Sequence, residues 1–227
     1  MNAIEFINVS KVYKPHTVIG DTNFQIASGS FVVISGESGA GKSTLLNLIG
    51  AMEGPTSGQI LINGQDVWRL SSKERVNFYR REVGVIFQGS YLQPQLTILE
   101  NIALPGVFAG IDEQKRLERT KYLAEYLGIL EKLNSLPNEI SGGQAERACI
   151  ARALFLNPKI ILADEPTANL DVENAQKVLA ILNQLRTEFG ITVLIATHDD
   201  LPKKFATQLI TITSGKLSIT NEVARNS

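Results

Sequence analysis

Gly36-Glu37-Ser38-Gly39-Ala40-Gly41-Lys42-Ser43-Thr44 is the stretch that decides how this chain folds. A short apolar run, Phe31-Val32-Val33-Ile34, precedes it, and a second apolar segment, Leu45-Leu46-Asn47-Leu48-Ile49, follows. Strand, glycine-rich loop and helix in that order are the setting in which G-x-x-x-x-G-K-S/T cradles phosphate. The glycines let backbone N–H groups close on an anion, and the helix N-terminus adds its dipole. Lys42 is expected to reach the β- and γ-phosphates of a triphosphate, and Ser43 to ligate Mg²⁺. A plain glycine-rich turn would need neither the strand before the loop nor the helix after it.

Two further apolar strands lead outward from that loop. Ile160-Ile161-Leu162-Ala163 ends in Asp164-Glu165, and Thr192-Val193-Leu194-Ile195-Ala196 ends in Thr197-His198. In an open parallel sheet, ligands bind beyond the carboxyl ends of the strands. Asp164 is therefore expected to hold Mg²⁺, directly or through water, and Glu165 to polarise an attacking water as general base. By the same geometry His198 points towards the γ-phosphate. Taken alone, Asp164-Glu165 reads equally as a surface acidic pair, and a single histidine as a structural or exposed residue.

Along the rest of the chain, Ile4 to Val9, Gln59 to Ile62 and Val83 to Phe87 read as strands. From about Tyr91 to Leu156 the character is helical, with Leu123, Tyr126, Leu127 and Leu130 at helical spacing. A helix with Val178, Leu182, Leu185 and Phe189 on one face joins the last two buried strands. Leu209 to Thr213 and Lys216 to Thr220 flank Ser214-Gly215 as a hairpin. Strands alternating with helices imply a mostly parallel, covered sheet interrupted by a helical insertion.

Composition narrows the functional classes. The 227 residues are 44% hydrophobic and 20% charged, an ordinary globular balance. With 22 basic and 23 acidic residues the net charge is −1, so no broad attraction to nucleic acid or anionic lipid is expected. No run approaches the ~20 apolar residues of a membrane span, and MNAIEFINVS lacks the features of a signal peptide, so a cytoplasmic location is expected. The single cysteine, Cys149, reads as a small buried hydrophobe. His16, in Lys14-Pro15-His16-Thr17, reads as a solvated loop residue.

Ser141-Gly142-Gly143-Gln144 precedes a helix rich in small residues, Ala145 to Leu156, and forms another helix-start anion site or else a simple N-cap. With the loop at Gly36 before it and Asp164-Glu165 after it, this order closely resembles the ABC ATPase family, whose signature is Ser-Gly-Gly-Gln. The resemblance covers nearly the whole chain. It implies an α/β P-loop NTPase with a RecA-like, mostly parallel sheet, N-terminal antiparallel strands and a helical signature subdomain. In that frame residues 1–227 are a single ATPase domain, with 1–89 and 159–227 as catalytic lobe and 90–158 as helical lobe.

The resemblance also implies residue roles. Gly36, Glu37, Ser38, Gly39, Ala40, Gly41, Lys42, Ser43 and Thr44 bind ATP, Tyr13 stacks on adenine, and Gln88 links Mg²⁺ and water to the helical lobe. Lys42, Glu165 and His198, the latter resembling the family's switch histidine, carry catalysis. Ser43, Gln88 and Asp164 hold the metal. Asn169, Leu170 and Asp171 couple two sites across a head-to-tail homodimer, in which Ser141, Gly142, Gly143 and Gln144 act on the partner's ATP. A polytopic membrane permease is the implied second partner, placing the chain on the cytoplasmic face of the membrane.

Asn101-Ile102-Ala103-Leu104-Pro105, Leu136-Pro137-Asn138-Glu139-Ile140-Ser141 and Leu162 to Asp171 resemble the lipoprotein-releasing, macrolide-export and cell-division group. Two small departures are Ala145-Glu146 after the signature, where glutamine or arginine is frequent, and Ile140 where leucine is common. Soluble members acting on DNA carry long coiled coils; here about 120 residues separate the loop from Asp164, without sustained heptads. Those acting on ribosomes usually carry two ATPase units, and this chain has one. A P-loop kinase would not need Ser141 to Gln144.

Overall fold

The computed structural model describes residues 1–89 and 91–221. Ser90, at the start of the expected 90–158 lobe, and 222–227, at the end of the expected 159–227 lobe, lie outside the described residues. Two sheets organise the chain. The first is antiparallel and is built from β1 (Asn2–Tyr13), β2 (His16–Ala27), β4 (Ser57–Ile62) and β5 (Gln65–Asp66). Their spatial order is β2-β1-β4-β5. In the second sheet β3 (Phe31–Gly36), β6 (Val83–Ile86), β7 (Ile160–Asp164), β8 (Thr192–Thr197) and β9 (Gln208–Thr213) are parallel. Only β10 (Lys216–Asn221) runs against its neighbour. The order there is β10-β9-β3-β8-β7-β6.

The chain is thus α/β, with a mostly parallel sheet preceded by antiparallel strands. Side chains alternate faces along a strand, and the core divides accordingly. Val32, Ile34, Ile160, Leu162, Leu194 and Ala196 face the antiparallel sheet and α1 (Lys42–Ile49). Phe31, Val33, Ile161, Ala163, Val193 and Ile195 face the helices α5 (Gly142–Leu154) and α6 (Val172–Phe189). Strands covered on both faces read as continuous apolar runs, which is why β3, β7 and β8 are the easiest elements to see in the sequence.

The remaining helices are α2 (Ser72–Glu82), α3 (Ile98–Phe108) and α4 (Glu113–Tyr126). Hydroxyls start three helices through reciprocal capping boxes: Ser71 with Glu74, Thr97 with Glu100, and Ser141 with Gln144. The hairpin between β9 and β10 turns at Ser214 and Gly215, at φ 49° and 75°, the two left-handed residues that a tight hairpin needs.

Several sequence expectations need correction. No strand is expected over residues 16–27, yet β2 lies there; it alternates mostly polar residues and covers the core with only Ile19, Phe24 and Ile26. His16 opens that strand, paired with Tyr13, so it is an exposed strand residue and not a loop residue. α2 is equally unexpected: none of its residues is buried, so it has no apolar stripe to read. Phe87 lies past the end of β6 and is exposed. Phe189 is 53% exposed and meets Tyr126 edge-on, whereas Val178, Leu182 and Leu185 do face the core. The signature supplies the N-cap, Ser141, and the first residues of α5, which stops at Leu154. Cys149 is buried, as expected. Among the described residues no helix is long and apolar enough to cross a membrane.

Candidate functional site

The carboxyl ends of β3, β6, β7 and β8 meet at one edge of the parallel sheet. Register does the placing: Ser35 lies beside Thr197, Asp164 beside Ala196, and Ile86 beside Ala163. The residues just beyond these ends, together with the loop before α1, close around a cleft of about 570 Å³. Ser38, Gly39, Gly41, Lys42, Ser43 and Thr44 form one wall; Gln88, Asp164, Glu165 and His198 form the other.

The loop needs its glycines for two reasons. Gly41 sits at φ 107°, and a Cβ there would come within 2.9 Å of Val18 Cγ1. At Gly36 a Cβ would lie 2.7 Å from the Ile212 carbonyl oxygen. Lys42 Nζ donates to the carbonyl oxygens of Gly36 and Glu37, at 2.9 and 3.1 Å. The ammonium is thereby folded over the loop.

Between the two walls, Ser43 Oγ donates to Asp164 Oδ2 at 2.9 Å. Burial pushes the Asp164 carboxyl above its ordinary range; the Ser43 hydrogen bond opposes this, the Glu165 charge adds to it, and Lys42 opposes it. Glu165 is held more tightly still. Its backbone is left-handed, at φ 47°, a conformation that costs a side-chain-bearing residue about 1–3 kcal/mol. Its N–H donates to the Ala196 carbonyl at 2.9 Å. One carboxylate oxygen accepts from Thr197 Oγ1 at 2.9 Å, and the other lies 2.7 Å from His198 Nδ1. The Glu165 side chain is 11% exposed and that of His198 72%. The carboxylate is a fixed acceptor; the imidazole is its solvent-facing partner.

Tyr13 stands at the end of β1, beside the cleft and not among its lining residues. Its ring is exposed, its hydroxyl donates to the Glu53 carboxylate, and Lys11 Nζ lies 4.9 Å from the ring centroid. The hydrogen bond to Glu53 is the main reason its phenol is pushed up, with Thr44 opposing. Glu37, Gly36 and Ala40 are in the loop but do not line the cleft.

Ser141, Gly142, Gly143 and Gln144 are not brought to the Lys42 cleft. Ser141 Oγ accepts from the Gln144 N–H at 3.3 Å, and Gln144 Oε1 accepts from the Ser141 N–H at 3.0 Å. This N-cap leaves Ser141 and Gly142 exposed. Behind it, a Cβ at Gly143 would lie 2.6 Å from Asn174 Oδ1, so the starts of α5 and α6 pack closely. Asp171 caps α6, accepting from the Asn174 N–H at 2.8 Å. A second, small cleft of about 30 Å³ joins Gly89, Gly142, Glu146, Glu165, Asn169 and Leu170. The loop Asn169-Leu170-Asp171 therefore touches both the Glu165 segment and the start of α5.

Three residues of this region carry no role on sequence grounds. Thr197 is visible there only as the residue before His198. Val18 lies on β2, the strand without a sequence pattern. Glu146 stands out only as a departure after the signature. A further cleft at the opposite edge of the sheet, about 430 Å³ and lined by Arg119, Tyr122, Tyr126 and Phe189, shares no residue with the Lys42 cleft.

Comparison with known proteins bears on this arrangement. Residues 19–168 match the family model described as ABC transporter. An uncharacterised ABC transporter ATP-binding protein of Methanocaldococcus jannaschii is 42% identical over 218 residues, 94% of this chain and 97% of that protein. The macrolide export ATP-binding/permease protein MacB of Salmonella typhimurium is 41% identical over 94% of this chain, which spans only 34% of MacB. Among solved structures, the dimeric post-hydrolysis state of the ATP-binding cassette MJ0796 bound to ADP and Pi superposes with a TM-score of 0.87. That match has 36% identity and covers 96% of this chain and 98% of the other.

Proposed function

This chain belongs to the ABC transporter family, and from that membership we propose that it is the ATP-binding, ATP-hydrolysing subunit of an export or force-transmitting complex. One observation carries the reading: Lys42, Ser43, Gln88, Asp164, Glu165 and His198, from separate segments of the chain, line a single cleft. The 1–89 and 159–227 segments act as the catalytic lobe and 90–158 as the helical lobe.

The triphosphate of ATP lies along Gly36 to Thr44, with its charge met by backbone N–H groups and Lys42. Tyr13, exposed beside the loop, stacks on the adenine. Ser43 and Asp164 suit Mg²⁺, which takes one or two protein oxygens and keeps several waters; their oxygens are 2.9 Å apart, with Gln88 in the same cleft. When bound, the ion draws charge from the phosphate oxygens. Glu165 accepts a proton from water as the water oxygen attacks the γ-phosphorus and the bond to the ADP oxygen breaks. Thr197 and His198 keep the carboxylate aimed during that step.

Two copies pair head to tail, so that Ser141 to Gln144 of each completes the other's site. The exposure of Ser141 and Gly142 and their separation from Lys42 support this, as does the likeness to the dimeric MJ0796 cassette. Asn169, Leu170 and Asp171 couple the two sites. The membrane permease docks on the helical lobe, where Leu96, Leu99, Leu104, Val107 and Leu117 line an open groove of about 800 Å³ between α3 and α4. Tyr91 and Phe108 are exposed on the same lobe. The chain then sits peripherally on the cytoplasmic face. The likeness to MacB favours the macrolide-export and mechanotransmitting branch. A net charge of −1 supports neither DNA nor ribosomal RNA as a partner.

Purifying Glu165→Gln from detergent-solubilised membranes with Mg-ATP tests the assignment. A stoichiometric polytopic membrane protein together with an ATP-dependent dimer is the expected result. Recovery of ribosomes, DNA-bound proteins or a lone soluble dimer would sink the transporter reading.

A further inference from the structure

Three segments with different duties meet at one side chain, Glu146 of α5. It is 5% exposed and lines the small cleft with Gly89, Gly142, Glu165, Asn169 and Leu170. Gly89 follows Gln88, Glu165 begins the loop of the proposed general base, and Gly142 begins the signature helix. Glu146 Oε1 is buried and has no hydrogen-bond partner. Buried polar atoms almost always find one, and a leucine here would fill the site without that cost. The cleft, about 30 Å³, has room for a single water.

The charge that bears on this carboxyl comes from its own helix. On α5 itself, Arg152 favours ionisation, while the Cys149 thiol is pushed up to about 12 by burial and is neutral. Glu165 lines the same cleft with its carboxylate turned to Thr197 and His198, and Gly89 brings no charge. Burial outweighs Arg152 and pushes Glu146 up to about 7. Near neutrality much of the population therefore carries a proton and offers a donor to the cleft.

Resting on the ATPase reading above, we propose that Glu146 is a positioning residue for hydrolysis, whose carboxyl bridges through one water from the signature helix to the Glu165–Asn169 loop. The bridge keeps Glu165 aligned in its own site while Ser141 to Gln144 engage the partner's nucleotide. Ionisation removes the donor, which loosens the loop without altering the phosphate cradle. Its signature is thus in kcat, not KM.

Steady-state turnover of Mg-ATP by the full chain, between about pH 6 and about pH 9, tests this in wild type, Glu146→Gln and Glu146→Ala. Wild-type kcat should fall roughly three- to tenfold from about pH 6.5 to about pH 8.5 with KM changed less than about twofold. Glutamine imitates the neutral acid, so Glu146→Gln should keep kcat within about twofold of the wild-type acid limb and lose most of the fall. Alanine should lower kcat roughly tenfold across the range. An alkaline fall that persists unchanged in Glu146→Gln, or wild-type kcat in Glu146→Ala, overturns the assignment while leaving the ATPase reading intact. Absence of wild-type turnover would instead remove the ATPase reading, and this proposal with it.

Discussion

Thr197 Oγ1 donates to Glu165 Oε2 at 2.9 Å from a position with no solvent exposure. The same hydroxyl accepts from the Asp199 N–H at 3.0 Å, so its proton is directed at the carboxylate. Thr197→Val keeps the shape and deletes the donor. Loss of one hydrogen bond to a charged group is worth about 1.5–3 kcal/mol, so kcat should fall roughly ten- to a hundredfold. ATP affinity, which we assign to the loop at Gly36 to Thr44, should be unchanged in equilibrium binding. A variant with wild-type kcat would show that His198 alone suffices to hold Glu165.

Glu165→Gln keeps the hydrogen bond from Thr197 and removes the basic carboxylate. Turnover should drop roughly 10²-fold or more, as for removal of a general base, while ATP stays bound and dimers accumulate. Lys42→Ala should lose ATP binding or turnover altogether, because it removes the cation that the loop carbonyls of Gly36 and Glu37 hold in place. Size-exclusion with and without Mg-ATP, beside a phosphate-release assay, separates the two phenotypes. A Glu165→Gln form that hydrolyses ATP at the normal rate would contradict the base assignment.

What is legible in the sequence follows physical lines. β3, β7 and β8 stand out because strands buried on both faces must be apolar throughout, and the residues at their ends inherit the site from sheet geometry. Ser43 and Asp164, hydrogen-bonded across the cleft, are each recognisable from their own local context. β2 and α2 are not, since each shows the core too few apolar side chains to set a period. Ser141 to Gln144 can be read as a helix cap, which they are, but the duty proposed for them towards a partner's nucleotide leaves no mark on spacing and comes only from family likeness. Thr197 and Glu146 escape because their importance lies in burial and in a hydrogen bond, made by one and lacking in the other. Neither is expressed in a linear pattern.

Asn101 is a polar residue with 0% exposure on the core side of α3. Its side-chain oxygen accepts from the Gln93 N–H at 2.7 Å, and its amide donates to the carbonyls of Gln93, Leu96 and Thr97. The segment joining β6 to α3 is thus tied to the helix by one amide. Asn101→Ala takes their partner from the part-buried Gln93 N–H and Leu96 carbonyl at about 1–3 kcal/mol each, so a loss of about 2–4 kcal/mol is expected in chemical denaturation. Asn101→Asp, which cannot donate, should lose a comparable amount. If Asn101→Ala unfolds at the wild-type denaturant midpoint, the segment is held by other contacts.

Glu146 should also write its protonation into stability. Its folded-state value, about 7, lies above the ordinary 4.5 because burial penalises the anion. The folded chain therefore holds a proton that the unfolded chain releases. Below about pH 4.5 both states are protonated and the group is neutral in its effect. As pH rises from there to about 7, stability is lost progressively, and above about 7 the loss is complete. Each tenfold difference in proton affinity between the folded and unfolded chain is worth about 1.4 kcal/mol, so the full cost is about 3 kcal/mol. Glu146→Gln removes this dependence, so its advantage over wild type should open between about pH 5 and about pH 7 and stay constant above. For a chain of this size that corresponds to several degrees in Tm. Thermal melts of the two proteins at about pH 5 and about pH 8 decide the matter. Parallel curves with no widening gap would mean that the buried carboxyl is compensated by a contact made in both ionisation states.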